Sequence, residues 1–424
     1  MKSHSVGIIK NIIALYGLQF ANYVLPLLVL PYLMRTLGVA GFGAFSIFFA
    51  LIQYALIVVD FGFNFSATAR IAAHLGQRTV IAETFAAVVV LRAIFAVIGT
   101  LTVVICLYLF SQLKSLYSPE IVLSTLGWCL GAALFPTWLF QGMERMGLIV
   151  TFNLISKIVS AGLIFLIIRA PEDLVKVIAI YGVSGLFSGL VAFAYGWRLV
   201  GEFRWPSPRE LWQELKRGWP MFLTSFSSVV LTNSGVIVAG LFLPAAVVGG
   251  YAATERLAKA ANTVFQPITQ AIFPRISGVM ATSLSAGIKL ALRFAKPALL
   301  GAFLVSAIMV IFRVQIVEAF AGEAYIAYAA ALIPLGVWFI FGVVNNFAGI
   351  QILTAAGRSY VYSRAFVVSG IMALFFTFLF LPYVGYMAIP IGVLLGEILL
   401  SVSLLPSIYK LWRMVEKTSY EEVR

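Results

Sequence analysis

Twelve long apolar runs, separated by short charged or turn-rich connections, dominate this chain of 424 residues. One membrane-spanning helix needs about 20 consecutive apolar residues, and each run is long enough to supply one. Only 11% of the residues are charged, whereas soluble globular domains carry about 25%. This composition excludes an ordinary soluble enzyme and a nucleic-acid-binding protein. We therefore predict an all-α polytopic membrane protein with about 12 transmembrane helices, near residues 8–34, 41–60, 81–110, 121–141, 147–168, 174–197, 218–242, 247–274, 289–312, 324–353, 361–381 and 385–408.

The basic residues are distributed very unevenly between the two sides of these helices. If the N-terminus is cytoplasmic, 19 of the 29 Lys and Arg residues fall on the cytoplasmic side and only four on the outer side. An excess of Lys and Arg in cytoplasmic connections sets the orientation of membrane proteins. We therefore predict a multi-pass membrane protein with both termini in the cytoplasm.

The longest connection, residues 198–217, lies near the middle of the chain. Within it, Ser207, Pro208 and Glu210 form a capping-box sequence with proline at the first helical position. This pattern predicts a short helix in the cytoplasmic interface. The linker at 198–217 separates an N-terminal six-helix lobe at 1–197 from a C-terminal six-helix lobe at 218–408, which is followed by a cytoplasmic tail at 409–424. Two lobes of equal helix number are typical of transporters built from repeats.

Four cations lie near the middle of their predicted spans: Arg92, Lys157, Arg256 and Lys259. Each is about 14–18 Å from one end of its helix. An ionised side chain at that depth costs several kcal/mol unless it faces water or a partner. We predict that these cations line a hydrated cavity between the lobes. Separate structural ion pairs are the alternative, and Glu255 with Lys259 has the i,i+4 spacing for one.

Polar residues also repeat at helical spacing, as expected for spans that line such a cavity. The eighth span carries Glu255, Lys259, Asn262, Gln266 and Gln270 along one face. Gln19 and Asn22 occupy the first span. At the start of the ninth span, Arg293 and Lys296 follow Lys289 in a basic ladder, which could equally extend to lipid headgroups.

Motifs for catalysis are missing from the sequence. There is no Walker lysine, no nucleophile elbow and no paired-carboxylate or His/Cys metal constellation, so we expect a protein that is not an enzyme, with no metal and no cofactor. Cys106 and Cys129 fall inside apolar runs and are expected to be buried.

Several segments together resemble the Wzx-type polysaccharide flippases of the multidrug/oligosaccharidyl-lipid/polysaccharide (MOP) exporter superfamily. These are Pro26–Leu33, Arg35–Gly38, Gly41–Gly43, Asp60–Asn64, Ser66–Thr68, Gln266-Pro267, Pro274–Ser277, Asn346, Gly349–Leu353 and Gly357. The resemblance covers nearly the whole chain. It implies a V-shaped bundle of 12 helices that moves an undecaprenyl-diphosphate-linked oligosaccharide, such as an O-antigen repeat unit, from the cytoplasmic to the periplasmic leaflet by alternating access.

The resemblance also implies site residues and partners. Arg92, Arg256 and Lys259 match basic positions of the family's cavity, while Lys157 and Lys296 are assigned from depth and spacing. Membrane lipids, polysaccharide polymerase and glycosyltransferases are the further expected partners, and no nucleic acid is expected. H⁺ or Na⁺ exchange through Glu255 or Asp60 is our hypothesis for coupling.

Two other functions compete with this interpretation. A MATE-like drug or metabolite exporter more often handles cations and would favour acids over Arg and Lys in its cavity. A membrane-embedded glycosyl polymerase or ligase usually has a large periplasmic loop with catalytic residues, whereas the predicted outer loops here are all short.

Overall fold

A computed structural model describes residues 2–110, 113–114 and 117–421, apart from the side chains of 2–24, 26–27, 228, 231–232, 264, 267 and 414–421. Helices account for nearly all of this part of the chain. Apolar segments in lipid must satisfy their backbone hydrogen bonds internally, and a helix does so within a single segment. The predicted all-α class is confirmed.

Backbone contacts divide the chain into two compact units, residues 1–249 and 250–424. The first unit contains α1 (Lys2–Asp60), α2 (Phe63–Ala73), α3 (Arg78–Leu109), α4 (Pro119–Leu134), α5 (Thr137–Gly142), α6 (Met146–Ile167), α7 (Leu174–Val200), α8 (Pro208–Phe242) and the start of α9 (Ala245–Thr282). The second contains the rest of α9, α10 (Leu284–Ile311), α11 (Arg313–Ala321), α12 (Leu332–Asn345), α13 (Ser359–Val384) and α14 (Ala388–Glu421). Short 3₁₀ segments cover Pro171–Asp173, Glu323–Ala331 and Gly385–Met387, and a π-helical segment covers Asn346–Thr354.

Eight of the described helical segments are long and apolar enough to cross a membrane. Ser359–Arg413 contains 55 residues, and α1, which includes the start of Leu28–Ala73, contains 59 residues. At about 1.5 Å per residue each is more than twice as long as the roughly 30 Å hydrocarbon core, so each supplies two crossings. The 35-residue α8 and the 38-residue α9 are long enough but more polar, and they bring the number to the predicted twelve.

The first two crossings meet at Gly38, where α1 is broken. Gly38 has a φ of 69°, a left-handed conformation that glycine adopts without steric cost. The sequence predicts a tight turn between helices at Gly38, Gly41 and Gly43, and the break is at the first of these.

The linker forms the start of a longer helix instead of a separate one, because α8 continues from Pro208 to Phe242 through Pro220. The predicted capping box is present: the Glu210 amide donates to Ser207 Oγ at 3.3 Å, and the Ser207 amide donates to Glu210 Oε2 at 2.6 Å. This backbone hydrogen bond lowers the pKa of Glu210. Because α8 packs against α1, α2 and α3, it belongs to the first compact unit. The lobe limits drawn at the linker stay a prediction.

Close helix packing in the first unit depends on small residues. The α4 and α7 backbones approach so closely that a Cβ atom on Gly131 would lie 2.3 Å from the carbonyl carbon of Gly185. Small residues allow such approaches between transmembrane helices, where dispersion contacts replace the hydrophobic effect.

Candidate functional site

Arg92 on α3 is only 4% exposed, and its guanidinium group lies against backbone carbonyls. It donates to the oxygen of Ala132 at 2.8 Å and to that of Phe135 at 3.3 Å. In an uninterrupted helix the Ala132 oxygen would accept from the amide of residue 136, but that residue is Pro136, which has no N–H. Arg92 therefore donates to the Ala132 oxygen the hydrogen bond that Pro136 cannot donate.

Asp60, at the end of α1, interacts electrostatically with Arg92. The backbone amides of Gly62 and Asn64, at the start of α2, also stabilise its carboxylate. Helix N-termini stabilise carboxylates through such amides and through the helix dipole. Asp60 and Arg92 influence each other electrostatically, and their assignment to the transport path stays a prediction.

The other predicted residues of the first unit contribute less to a defined site. Lys157 lies on α6 and is half-buried. Gln19 and Asn22 lie on α1, but their side chains lie outside the described residues. Their assignment to the cavity stays a prediction.

In the second unit, α9 carries the predicted cations in a defined polar environment. Lys259 Nζ lies 3.2 Å from Glu255 Oε1, which confirms the ion pair expected from the i,i+4 spacing. The hydroxyl of Tyr251 donates to the same carboxylate oxygen at 3.1 Å. Arg256 is half-buried and interacts electrostatically with Tyr325, from the 3₁₀ segment that precedes α12.

Further along the same helix, Asn262 and Gln266 open onto a cavity of about 250 Å³ inside the second unit. Its other walls come from α12, the π-helical segment, α13 and α14. The polar lining outside α9 consists of Asn345, Asn346 and Glu397, and the aromatic lining includes Trp338, Phe339, Tyr362 and Phe366. Two predicted substrate-binding residues are therefore brought together in one polar cavity.

The sequence analysis missed the acidic residue of this cavity. The side-chain amide of Asn345 donates to the carboxylate of Glu397 and to its backbone oxygen, and Ser401 Oγ donates to Asn345 Oδ1 at 2.7 Å. Trp338 also hydrogen-bonds to the carboxylate. Two signals in the sequence could have revealed it. One is a lone Glu in the apolar run at 385–408, and the other is the amide pair Asn345-Asn346 in the run at 324–353.

The basic ladder of α10 does not take part in the cavity lining. Arg293 and Lys296 are exposed on α10. Exposed cations near the end of a span can contact lipid headgroups as readily as a substrate.

A sequence profile of the polysaccharide biosynthesis protein family matches residues 8–280. The chain belongs to this family. Two curated relatives, from Shigella dysenteriae and Escherichia coli K12, are each 27% identical and carry the name "Putative O-antigen transporter". The alignments cover 94% of this chain and 99% of the Shigella protein, and 89% of this chain and 91% of the E. coli protein.

Solved structures of transporters share this fold. An inward-facing MATE multidrug transporter matches with a TM-score of 0.63 and 18% identity, over 96% of this chain and 99% of the transporter. The lipid II flippase MurJ in an inward closed conformation matches with a TM-score of 0.62 and 12% identity, over 96% of this chain and 88% of MurJ. The resemblance drawn from the sequence motifs is confirmed.

Proposed function

We propose that this protein is a flippase that moves an undecaprenyl-diphosphate-linked oligosaccharide, such as an O-antigen repeat unit, from the cytoplasmic to the periplasmic leaflet of the bacterial inner membrane. Its mechanism is alternating access. The family match, the names of the curated relatives and the fold shared with a lipid II flippase support this proposal. Glycosyltransferases would supply the lipid-linked unit, and a polysaccharide polymerase would consume it.

The observation that carries the proposal is the polar, cationic face of α9. Arg256 and Lys259 lie near the middle of this helix, and Asn262 and Gln266 follow them into a polar cavity. Acyl chains cannot solvate such a face, whereas a diphosphate with an attached sugar can. Arginine and lysine are the usual phosphate ligands, and a weakly polar environment strengthens each contact.

The membrane potential would favour export of this anionic headgroup. An inside-negative potential contributes about 2.3 kcal/mol per elementary charge per 100 mV for an anion that leaves the cytoplasmic side. The lipid tail stays in the bilayer during this movement, so only the sugar and the diphosphate need a polar path. No hydrolysis of ATP is required in this scheme.

Release of the diphosphate requires that the cations acquire another partner. The Lys259–Glu255 ion pair supplies one, because Lys259 can return to the carboxylate when the substrate leaves. Protonation of Glu255, or its binding of Na⁺, would free Lys259 for the next substrate. Asp60, which interacts electrostatically with Arg92, is the second candidate for ion coupling. If the rate of transport in vesicles depends on neither an H⁺ gradient nor a Na⁺ gradient, this coupling is contradicted.

The remaining predicted residues have supporting roles in the proposal. Lys157, Arg293 and Lys296 would raise the positive potential along the path of the headgroup, and Gln19 and Asn22 would hydrogen-bond to sugar. Arg92 would act indirectly, because it fixes the break between α4 and α5.

The test is the amount of surface O-polysaccharide in a flippase-deleted strain with a matching repeat unit. We expect wild-type protein to restore it, and Arg256→Ala and Lys259→Ala to reduce it at equal expression. Lys114→Ala is the matched control, because Lys114 is an exposed cation on the predicted outer side, and it should restore fully. Failure of the well-inserted wild type would contradict the proposal.

A MATE-like exporter of organic cations is the second candidate. One observation favours it: the Glu397 carboxylate lies in a cavity with aromatic walls. Efflux of ethidium that depends on Glu397, without any restoration of O-polysaccharide, would establish this alternative.

A further inference from the structure

Resting on the proposed function, we infer that the cavity lined by Asn262, Gln266, Asn346, Trp338 and Glu397 is a saccharide-binding subsite, which holds one sugar ring of the lipid-linked oligosaccharide. We call it the α9–α14 cavity. It lies entirely within the second compact unit.

The lining has the chemistry of a carbohydrate site. Side-chain amides both donate and accept hydrogen bonds, and a carboxylate accepts at about four lone-pair positions, of which Asn345 and Trp338 use only some. Sugar hydroxyls can pair with all of these groups. The rings of Trp338, Phe339 and Tyr362 add the apolar surface against which the C–H face of a pyranose packs.

One residue that lines the cavity has a buried polar atom without a partner in the described part of the chain. This atom is Oδ1 of Asn346. A buried acceptor without a hydrogen bond costs about 1–3 kcal/mol, so a donor from a ligand would relieve this cost. A sugar hydroxyl is such a donor.

The local backbone supplies an independent indication of function. The helix changes from α to π at Asn346, as shown by the Ala355 amide, which bonds to the Ile350 oxygen five residues earlier at 3.3 Å. π-Helical turns inside helices are rare and occur frequently at functional sites. Here the change falls between Asn345 and Asn346, and both side chains line the cavity.

Size and position fit a single sugar next to the diphosphate. The volume of about 250 Å³ is below the roughly 300–1,000 Å³ of pockets for drug-sized ligands. Asn262 follows Lys259 by three residues, or about 4.5 Å along the helix, and Gln266 follows by about 10.5 Å. A diphosphate at Lys259 would therefore place its directly attached sugar at the cavity.

The same features argue against a bare cation or an organic cation as the ligand. A cavity of this volume is too large to coordinate a metal ion, which needs several oxygen atoms at 2.0–2.6 Å. An organic cation would use the carboxylate and the aromatic rings but would leave the buried Asn346 Oδ1 without a donor.

The test is binding to the full-length protein in nanodiscs. The probes are undecaprenyl diphosphate and the same lipid carrying one N-acetylglucosamine, N-acetylgalactosamine, glucose or galactose. We expect wild type to bind at least one sugar-bearing lipid more tightly than undecaprenyl diphosphate. Gln266→Leu and Asn346→Leu should each weaken binding of that lipid by about 5-fold, as the loss of one or two hydrogen bonds predicts, and leave the sugar-free lipid unchanged.

Gln315→Leu is the matched control, because Gln315 is an exposed amide on α11 and does not line the cavity. It should leave the affinity for both lipids unchanged. If wild type binds undecaprenyl diphosphate but prefers no sugar-bearing form, the saccharide subsite is wrong while the flippase proposal stands. If it binds none of the lipids, the proposed function itself fails. Binding of tetraphenylphosphonium that is lost in Glu397→Gln, without any sugar preference, would assign the cavity to organic cations.

Discussion

Replacing Arg92 with Met separates a structural role from a substrate-binding role. The substitution keeps much of the side-chain volume but removes the donor to Ala132 and the positive charge that interacts electrostatically with Asp60. Leaving a buried carbonyl without its donor costs about 1–3 kcal/mol. At about 2–4 °C per kcal/mol for a unit of this size, the melting temperature should fall by roughly 2–12 °C.

The assay is thermal unfolding of the purified protein in detergent, measured for Arg92→Met, Asp60→Asn and the double variant. Because the positive charge of Arg92 stabilises the Asp60 carboxylate electrostatically, the double variant should lose less stability than the sum of the two. A coupling at the lower end of the range of about 0.5–3 kcal/mol is expected. If Arg92→Met unfolds at the wild-type temperature and no coupling is found, the structural interpretation of Arg92 is refuted.

Three further predictions concern helix packing and capping. Glu214 is fully buried and paired with both Arg70 and Arg217, so it holds α8 against α2. Glu214→Ala should lower the melting temperature by roughly 6–12 °C. An unchanged melting temperature would contradict this role. Gly131→Val should prevent close packing of α4 and α7 and reduce the yield of folded protein in size-exclusion chromatography. Gly162 has open space around it, so Gly162→Ala should not reduce the yield. Equal yields of the two variants would refute the packing argument. Ser207→Ala should cost about 0.5–1 kcal/mol at neutral pH. Because the pKa of Glu210 is lowered in the folded state, the stabilising effect of its carboxylate is present above the ordinary glutamate pKa and is lost as the pH falls below about 4.3, so thermal unfolding should show a smaller difference between Glu210→Ala and wild type at pH 3 than at neutral pH.

Features that arise within one helix could be predicted from the sequence. Residue spacing alone predicted the Glu255–Lys259 ion pair, the capping box of Ser207 and Glu210, and the polar face of α9. Hydropathy predicted the number of spans, because the lengths of lipid-embedded helices are set by bilayer thickness.

Contacts between helices could not be predicted in this way. Arg92 was assigned to a cavity because no acid is near it on α3, but the carbonyls that accept its hydrogen bonds lie between α4 and α5, and the acid that interacts with it electrostatically, Asp60, lies at the end of α1. Likewise, 52 residues separate Asn345 from Glu397, so neither residue indicates the other. The hydrogen bond from Arg92 to the Ala132 oxygen depends on the path of the backbone between α4 and α5. Side-chain periodicity does not predict that path.

The most direct test is flipping of a purified undecaprenyl-diphosphate-linked oligosaccharide in proteoliposomes, measured by the accessibility of its sugar to an external hydrolase. Wild-type protein should move the lipid between leaflets, Lys259→Ala should slow the movement strongly, and Lys114→Ala should leave it unchanged. Movement no faster than in protein-free liposomes, with wild-type protein correctly inserted, would contradict the flippase function.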